Sequence, residues 1–246
     1  MSELKKMIDK SEYAVFFGGA GVSTASGIPD FRGKNGIYNT ENEWGLPPES
    51  IISHTFFEKR TKDFFKYYRE NMVYPEKEPC ACHYALSALE KLGKIKSVIT
   101  QNIDDLHKKA GSKRVFELHG SVYRNFCTKC GKFYPLDEIL KTAGVPKCLC
   151  GGIVKPDVVL YEEPLDERVW QGALNEIMTA DLLIVGGSSL TVNPAGYLVA
   201  LFRGRLVIIN DSPTPYDDKA ELLIGGDINS VFEKLLKEYL GDDTRI

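Results

Sequence analysis

The chain alternates short runs that are apolar throughout with longer stretches in which apolar residues recur every three or four positions. Runs of the first kind are Tyr13-Ala-Val-Phe-Phe17, Ser97-Val-Ile-Thr100, Val115-Phe-Glu-Leu118, Val158-Val-Leu-Tyr161, Leu182-Leu-Ile-Val185 and Leu206-Val-Ile-Ile209. They are rich in β-branched and aromatic residues and lack the alternation of a strand with one wet face, so they predict strands buried on both faces. The periodic stretches predict helices over 56–72, 81–92, 166–178, 195–202 and 228–240. Strand and helix in alternation predict an α/β fold with a doubly wound, Rossmann-like parallel sheet.

Two stretches break the alternation. Residues 34–79 are too long for a simple crossover and hold Asn35-Gly36, Pro47-Pro48 and an aromatic-rich helix with Phe64, Phe65, Tyr67 and Tyr68. Residues 120–155 carry two cysteine pairs. Both read as insertions that together form a smaller module beside the sheet. The expected organisation is a Rossmann-like domain of residues 1–33, 80–119 and 156–246, a helical insertion 34–79 and a metal-binding module 120–155.

Composition narrows the class. A chain of 246 residues with 43% hydrophobic and 26% charged residues is globular, not disordered or collagenous. Its apolar runs fall far short of the ~20 residues that span a bilayer. With 31 basic and 34 acidic residues the net charge is −3, which gives no electrostatic case for a dedicated nucleic-acid or membrane surface. The N-terminus, Met1-Ser-Glu-Leu-Lys-Lys-Met-Ile-Asp-Lys10, mixes charges with apolar residues at helical spacing and is unlike a secretory signal, so a cytoplasmic location is expected.

The six cysteines are clustered. Cys127-x-x-Cys130, then 17 residues, then Cys148-x-Cys150 is close to the spacing of a Cys₄ zinc site, with the second pair one residue tighter than usual. Four thiolates leave no position for water, so the Zn²⁺ is expected to be structural. Cys80-Ala-Cys82 is a rival second half, but it opens a helix, where residues two apart do not point together.

The first strand runs into Gly18-Gly19-Ala20-Gly21, where a doubly wound fold brings backbone N–H groups to a pyrophosphate. A tight turn in any α/β protein gives the same glycines. The dehydrogenase fingerprint needs a third glycine where Thr24 stands and an acidic strand end about 20 residues on, where Asn39-Thr-Glu-Asn-Glu43 is polar loop. Hydride transfer is therefore disfavoured.

Beyond the glycines, Gly19-Ala-Gly-Val-Ser-Thr-Ala-Ser-Gly-Ile-Pro-Asp-Phe-Arg32 has an order that no fold-level rule demands. With Thr100-Gln-Asn-Ile-Asp104, Glu117-Leu-His-Gly120, the paired cysteines, Gly187-Ser-Ser-Leu190 and Ile208-Ile-Asn210, it resembles the sirtuin family of NAD-dependent protein lysine deacetylases over nearly the whole chain. The resemblance implies attack of the acyl oxygen of an acylated lysine on C1′ of the nicotinamide ribose, releasing nicotinamide, O-acetyl-ADP-ribose and free lysine. It leaves ADP-ribosyl transfer and longer-chain deacylation on the same fold as alternatives.

By that resemblance NAD is the co-substrate, held by Gly19, Ala20, Gly21, Thr24, Asp30, Phe31, Arg32, Gln101, Asn102, Ile103, Asp104, His119, Gly187, Ser188, Ser189, Asn210, Asp227 and Ile228. Phe31 would shield the reacting centre, Arg32 would face phosphate, Asn102 and Asp104 would bond the nicotinamide carboxamide, and Asn210 would hold the adenine ribose. His119 is the candidate general base, with Asn102 and Asp104 grouped with it as catalytic. Of the four histidines, only His119 lies between a strand end and a glycine. The partner is an acyl-lysine protein or peptide, lying as a strand against Val158, Val159, Leu160 and Tyr161 on one side and Val192 and Asn193 on the other. Glu162 stands where the family usually has glycine. Family members that prefer acidic acyl groups carry Tyr-x-x-Arg on the first insertion's helix, and here Phe65 and Tyr68 occupy those positions.

Overall fold

In a computed structural model, which describes residues 1–30, 36 and 43–241, the central apolar runs become strands buried along their length. The chain runs α1 (Glu3–Lys10), β1 (Ala14–Gly18), α2 (Pro48–Ile51), α3 (His54–Lys59), α4 (Thr61–Asn71), α5 (Ala81–Lys91), β2 (Ser97–Thr100), α6 (Leu106–Lys109) and β3 (Val115–Glu117). It continues through β4 (Gly120–Cys127), β5 (Phe133–Pro135), α7 (Leu136–Leu140), β6 (Val154–Val158), α8 (Glu167–Thr179), β7 (Leu182–Gly186), α9 (Ala195–Leu201), β8 (Arg205–Asn210), β9 (Leu222–Gly225) and α10 (Ile228–Leu240).

Six strands form one parallel sheet in the order β3-β2-β1-β7-β8-β9. The chain builds outward from β1 in one direction and from β7 in the other, so the strand order reverses between them. Such a reversal opens a crevice at the carboxyl ends of the strands. Strand β1 shows how both faces are filled. Phe16 packs with Leu4, Leu86 and Phe232 of α1, α5 and α10, whereas Val15 and Phe17 pack with Ala173, Ile177 and Leu198 of α8 and α9. Each fully buried side chain of this size stabilises by about 1.5–3 kcal/mol.

The expected strand Val158-Val-Leu-Tyr161 is not part of this sheet. The strand there is β6, displaced toward the N-terminus, and it pairs antiparallel with β4 in a separate three-stranded sheet, β5-β4-β6. The chain turns back at Gly120 after β3, so β4 captures β6 before it can reach the parallel sheet. The sixth parallel strand is β9, whose alternating burial marks it as an edge and hid it from a search for uniformly apolar runs.

The helix expected over 56–72 is two helices broken at Arg60, whose backbone leaves the helical region at φ −132°, ψ 45°. The break turns Phe57 edge-on to Phe64, with centroids 5.1 Å apart at 87°, a geometry worth ~0.5–1.5 kcal/mol beyond area. Phe56, Phe57, Phe64, Phe65, Tyr67 and Tyr68 share one core with Val122, Leu136, Ile139 and Val154. The two insertions thus form a single module, which neither could bury alone. Among the described residues no helix is long and apolar enough to cross a membrane.

Two histidines lie inside the molecule. His83 on α5 and His107 on α6 are buried, with ring centroids 4.6 Å apart. Neither ring nitrogen of His107 has a hydrogen-bond partner among the described residues. Burial pushes its pKa from 6.5 down to about 3. The unfolded chain binds the proton near the ordinary value and the folded chain does not, so this stability is complete above pH 6.5 and is lost progressively as pH falls toward 3. The melting temperature is expected to fall across that window, with a shallower slope in His107→Leu. Equal slopes for wild type and variant would refute the neutral, buried state.

Candidate active site

The crevice collects the loop after every strand of the parallel sheet. Ala20 and Gly21 follow β1, Gln101, Asn102, Ile103 and Asp104 follow β2, and His119 follows β3. Gly187, Ser188 and Ser189 follow β7, Asn210 ends β8, and Asp227 and Ile228 follow β9. All of these line one cavity of about 490 Å³, together with Thr24, Asp30, Val158, Val159, Leu160, Tyr161, Val192 and Asn193. Gly19 lies behind the cavity wall: a Cβ there would stand 2.7 Å from the Gly187 carbonyl oxygen. Phe31 and Arg32 lie outside the described residues.

The floor of the cavity is a bonded polar chain. Asn102 Nδ2 donates to Ser23 Oγ at 3.0 Å, and Ser23 Oγ donates to Asp104 Oδ2 at 2.6 Å. Asp104 Oδ1 accepts from the N–H of Leu106, the first residue of α6, at 3.0 Å. Burial raises the Asp104 carboxyl above the usual carboxylate range, against the Ser23 bond that lowers it. Ser188 Oγ donates to Gln101 Oε1 at 3.0 Å, tying the β7 loop to the β2 loop. The Gln101 Nε2 is buried with no partner among the described residues, a donor suited to a polar ligand in the cavity.

Only one histidine meets the cavity. His54 is on the surface, with Nδ1 2.8 Å from Glu163 and Nε2 3.3 Å from Glu58. His83 and His107 are in the core. His119 lines the cavity, and its Nδ1 stands 2.9 Å from the Gln101 carbonyl oxygen. A carbonyl only accepts, so Nδ1 carries the proton and Nε2 is the basic nitrogen. Burial lowers the His119 pKa below 6.5, partly offset by the Gln101 bond.

Beside His119 runs the segment after β6. The Val159 N–H donates to the His119 carbonyl at 3.0 Å, and the Tyr161 N–H donates to that of Ile52 at 3.0 Å. Glu162 adopts φ +75°, the left-handed region where glycine is the usual occupant. Its Oε2 accepts from the Thr55 N–H at 2.9 Å and the Thr55 hydroxyl at 2.6 Å, which fixes the strained residue against α3.

Ser23 was not singled out from sequence, although it sits inside the long glycine-loop motif between two residues that were. Ile52, Met72, Tyr74, Val122 and Tyr123 also line the cavity. They come from the two insertions, and no local pattern separates them from ordinary core residues.

The four cysteines of 127–150 come together, their Sγ atoms all within 4.8 Å of one another. Sulfurs around a tetrahedral zinc, with bonds of about 2.3 Å, stand about 3.8 Å apart. The Cys127–Cys150 and Cys130–Cys148 separations of 3.4 and 3.6 Å fit that metal. The tighter second pair is accommodated by a loop closed from the Cys148 N–H to the Gly152 carbonyl at 2.8 Å. Cys80 and Cys82 lie apart from it: Cys80 Sγ donates to the Val22 carbonyl at 3.1 Å, and Cys82 is fully buried on α5. Cys80→Ser/Cys82→Ser is accordingly expected to keep one zinc per folded chain, and Cys148→Ser to lose it. Metal analysis after dialysis checks this, and loss of zinc in the double variant would overturn the assignment.

The family model for the Sir2 family matches residues 19–194. The NAD-dependent protein deacetylase of Clostridium acetobutylicum is 52% identical over 96% of this chain and 98% of its own length. That of Staphylococcus aureus N315 is 41% identical over 97% and 98%. Among solved structures, Sir2 with a deacetylated p53 peptide and 3′-O-acetyl-ADP-ribose superposes with a TM-score of 0.90 at 36% identity, covering 96% of this chain and 97% of that one. A Sir2 homologue in complex with NAD superposes at 0.88 and 37% identity, covering 97% and 93%. A crevice at the strand-order switch, a single cavity-facing histidine and a four-thiol cluster accompany these matches, and the chain belongs to the Sir2 family.

Proposed function

We propose that this chain is an NAD-dependent protein lysine deacetylase that releases nicotinamide and O-acetyl-ADP-ribose, and that it carries one structural zinc. The observation that carries the reading is His119, a neutral imidazole fixed by the Gln101 carbonyl with its basic nitrogen left for a proton. NAD supplies an electrophilic C1′ carbon with a pyridinium leaving group. The chain's residues do the rest. The glycine loop after β1 and the Ser188-Ser189 loop after β7 lie at the phosphates, Asn210 at the adenine ribose, and Asp227 and Ile228 at the adenine. Asn102 and Asp104, oriented by Ser23, present amide and carboxyl groups to the nicotinamide carboxamide. His119 takes a ribose hydroxyl proton after nicotinamide has left.

The acyl-lysine peptide lies as an added strand between the segment Val158 to Tyr161 and the Val192-Asn193 wall, so main-chain bonds supply affinity and little sequence is read. The reading includes a cytoplasmic location, where clustered cysteines serve as metal ligands more often than as disulfides.

His119→Ala is expected to lower deacetylation by about 10²–10⁴-fold while NAD binding persists, because the phosphate and adenine contacts lie elsewhere. A peptide assay with calorimetric NAD titration decides it, and activity within about tenfold of wild type would sink the role. The base works only when unprotonated and its pKa is lowered, so the acid limb of kcat/KM is expected below pH 6.5. A limb centred above that value would exclude His119 as its source.

Among the described residues no Lys or Arg lines the cavity that would receive an acidic acyl group. Phe65 and Tyr68 are fully buried. The Arg69 guanidinium donates to the carbonyls of Phe65, Ile139 and Gly144, and Lys66 pairs with Glu43 at 2.6 Å. Neither cation lines the cavity. A succinyl carboxylate would enter desolvated and unpaired, so its kcat/KM is expected to be at least about tenfold below that of acetyl-lysine on the same peptide. Equal values would refute this pocket chemistry.

A further inference from the structure

The turn that carries His119 is gripped from both sides. It joins β3, ending at Glu117, to β4, beginning at Gly120, and only Leu118 and His119 lie between. Arg124 of β4 reaches back across the turn: its Nη1 donates to Glu117 Oε2 at 2.6 Å, and its Nε donates to Asp157 Oδ2 of β6 at 2.7 Å. The Glu117 side chain is only 6% exposed, and the same oxygen lies 2.5 Å from Lys108 Nζ of α6. Lys108 in turn pairs with Asp105 at 3.2 Å, next to Asp104.

Arg124 owes this aim to an irregularity. The β4·β6 ladder shifts register between Ser121 and Asn125, and Arg124 falls in the shifted stretch. Bulges of this kind re-aim a side chain that a regular ladder would hold elsewhere. The turn has no slack of its own, because a Cβ on Gly120, at φ +77°, would stand 1.8 Å from the Asp157 carbonyl oxygen.

We propose that Arg124, through Glu117 and Asp157, is a positioning residue for the catalytic base: an ionic clasp between the zinc-bearing module and the parallel sheet that fixes the backbone of His119. The inference rests on the deacetylase reading. Arg124 does not line the cavity, so it acts through the turn on the step that needs the base and leaves the earlier step alone. Departure of nicotinamide precedes base action, and its reversal is read as exchange of labelled nicotinamide into NAD in the presence of acetylated peptide.

The test measures deacetylation and exchange on the zinc-loaded Arg124→Gln chain. Deacetylation kcat is expected to fall about 10- to 100-fold, with exchange and both KM values within about threefold of wild type. Arg124→Lys, which keeps one of the two contacts, is expected to fall between them. An unchanged kcat, or exchange falling by the same factor as deacetylation, would overturn the clasp. If Arg124→Gln lacks zinc or a cooperative melt, Asp157→Asn replaces it, releasing only the Nε contact, and the same split is required at smaller amplitude. A wild-type chain that removes no acetyl group with NAD would instead sink the deacetylase reading itself.

Discussion

The turn after β1 and the turn after β7 are pressed into the same few ångströms. The Gly21 N–H donates to the Gly187 carbonyl at 2.8 Å, and a Cβ on Gly21 would stand 2.7 Å from Gly187 Cα. No side chain fits on either face of that contact. It lies where the sheet changes direction, so it decides how closely the two halves of the sheet approach and how wide the crevice between their loops is. Ser188, bonded to Gln101, carries the same constraint outward to the β2 loop. The cavity floor, the orientation of Asn102 and the place of His119 all follow from how tightly these turns meet.

What is legible in the chain is what is local. A central parallel strand is buried on both faces, so β1, β2, β7 and β8 announce themselves as apolar runs, and their carboxyl ends point to the site residues directly. The cysteine spacing likewise encodes its own cluster. What escapes is non-local. Whether Val154–Val158 joins the large sheet or a small one depends on pairing with β4; the alternation of Val154-Lys-Pro-Asp-Val158 fits a strand with one covered face but does not name its partner. The break at Arg60 depends on Phe57 meeting Phe64, and the cavity role of Ile52 and Met72 depends on where the insertion docks. Ser23 falls between these cases, being inside a legible motif but defined by bonds to residues some eighty positions away.

Burial is used in opposite senses around the cavity. It keeps His107 and His119 neutral, which in one case leaves an inert core residue and in the other an unprotonated imidazole at the cavity wall. Geometry makes the difference, since His107 has no access to the cavity and His119 forms its wall. Burial also raises Asp104, so its bonds to Ser23 and the Leu106 N–H are needed to keep it oriented. A low-dielectric site strengthens each of these contacts and penalises any left unmade.

The shared aromatic core of the two insertions has a consequence for the order in which the protein is made. Helices α3 and α4 leave the ribosome with six large aromatic side chains and nothing to bury them against, because their partners Val122, Leu136, Ile139 and Val154 come much later in the chain. Strand β1 meets β2 sooner, but its other edge waits for β7, which follows the whole of both insertions. Neither core can close during early synthesis, and the nascent chain must carry exposed aromatic surface past the point at which most small domains have already begun to fold. Zinc, whose last ligand is Cys150, therefore arrives as a late fastener on an assembly that the metal itself helps to complete.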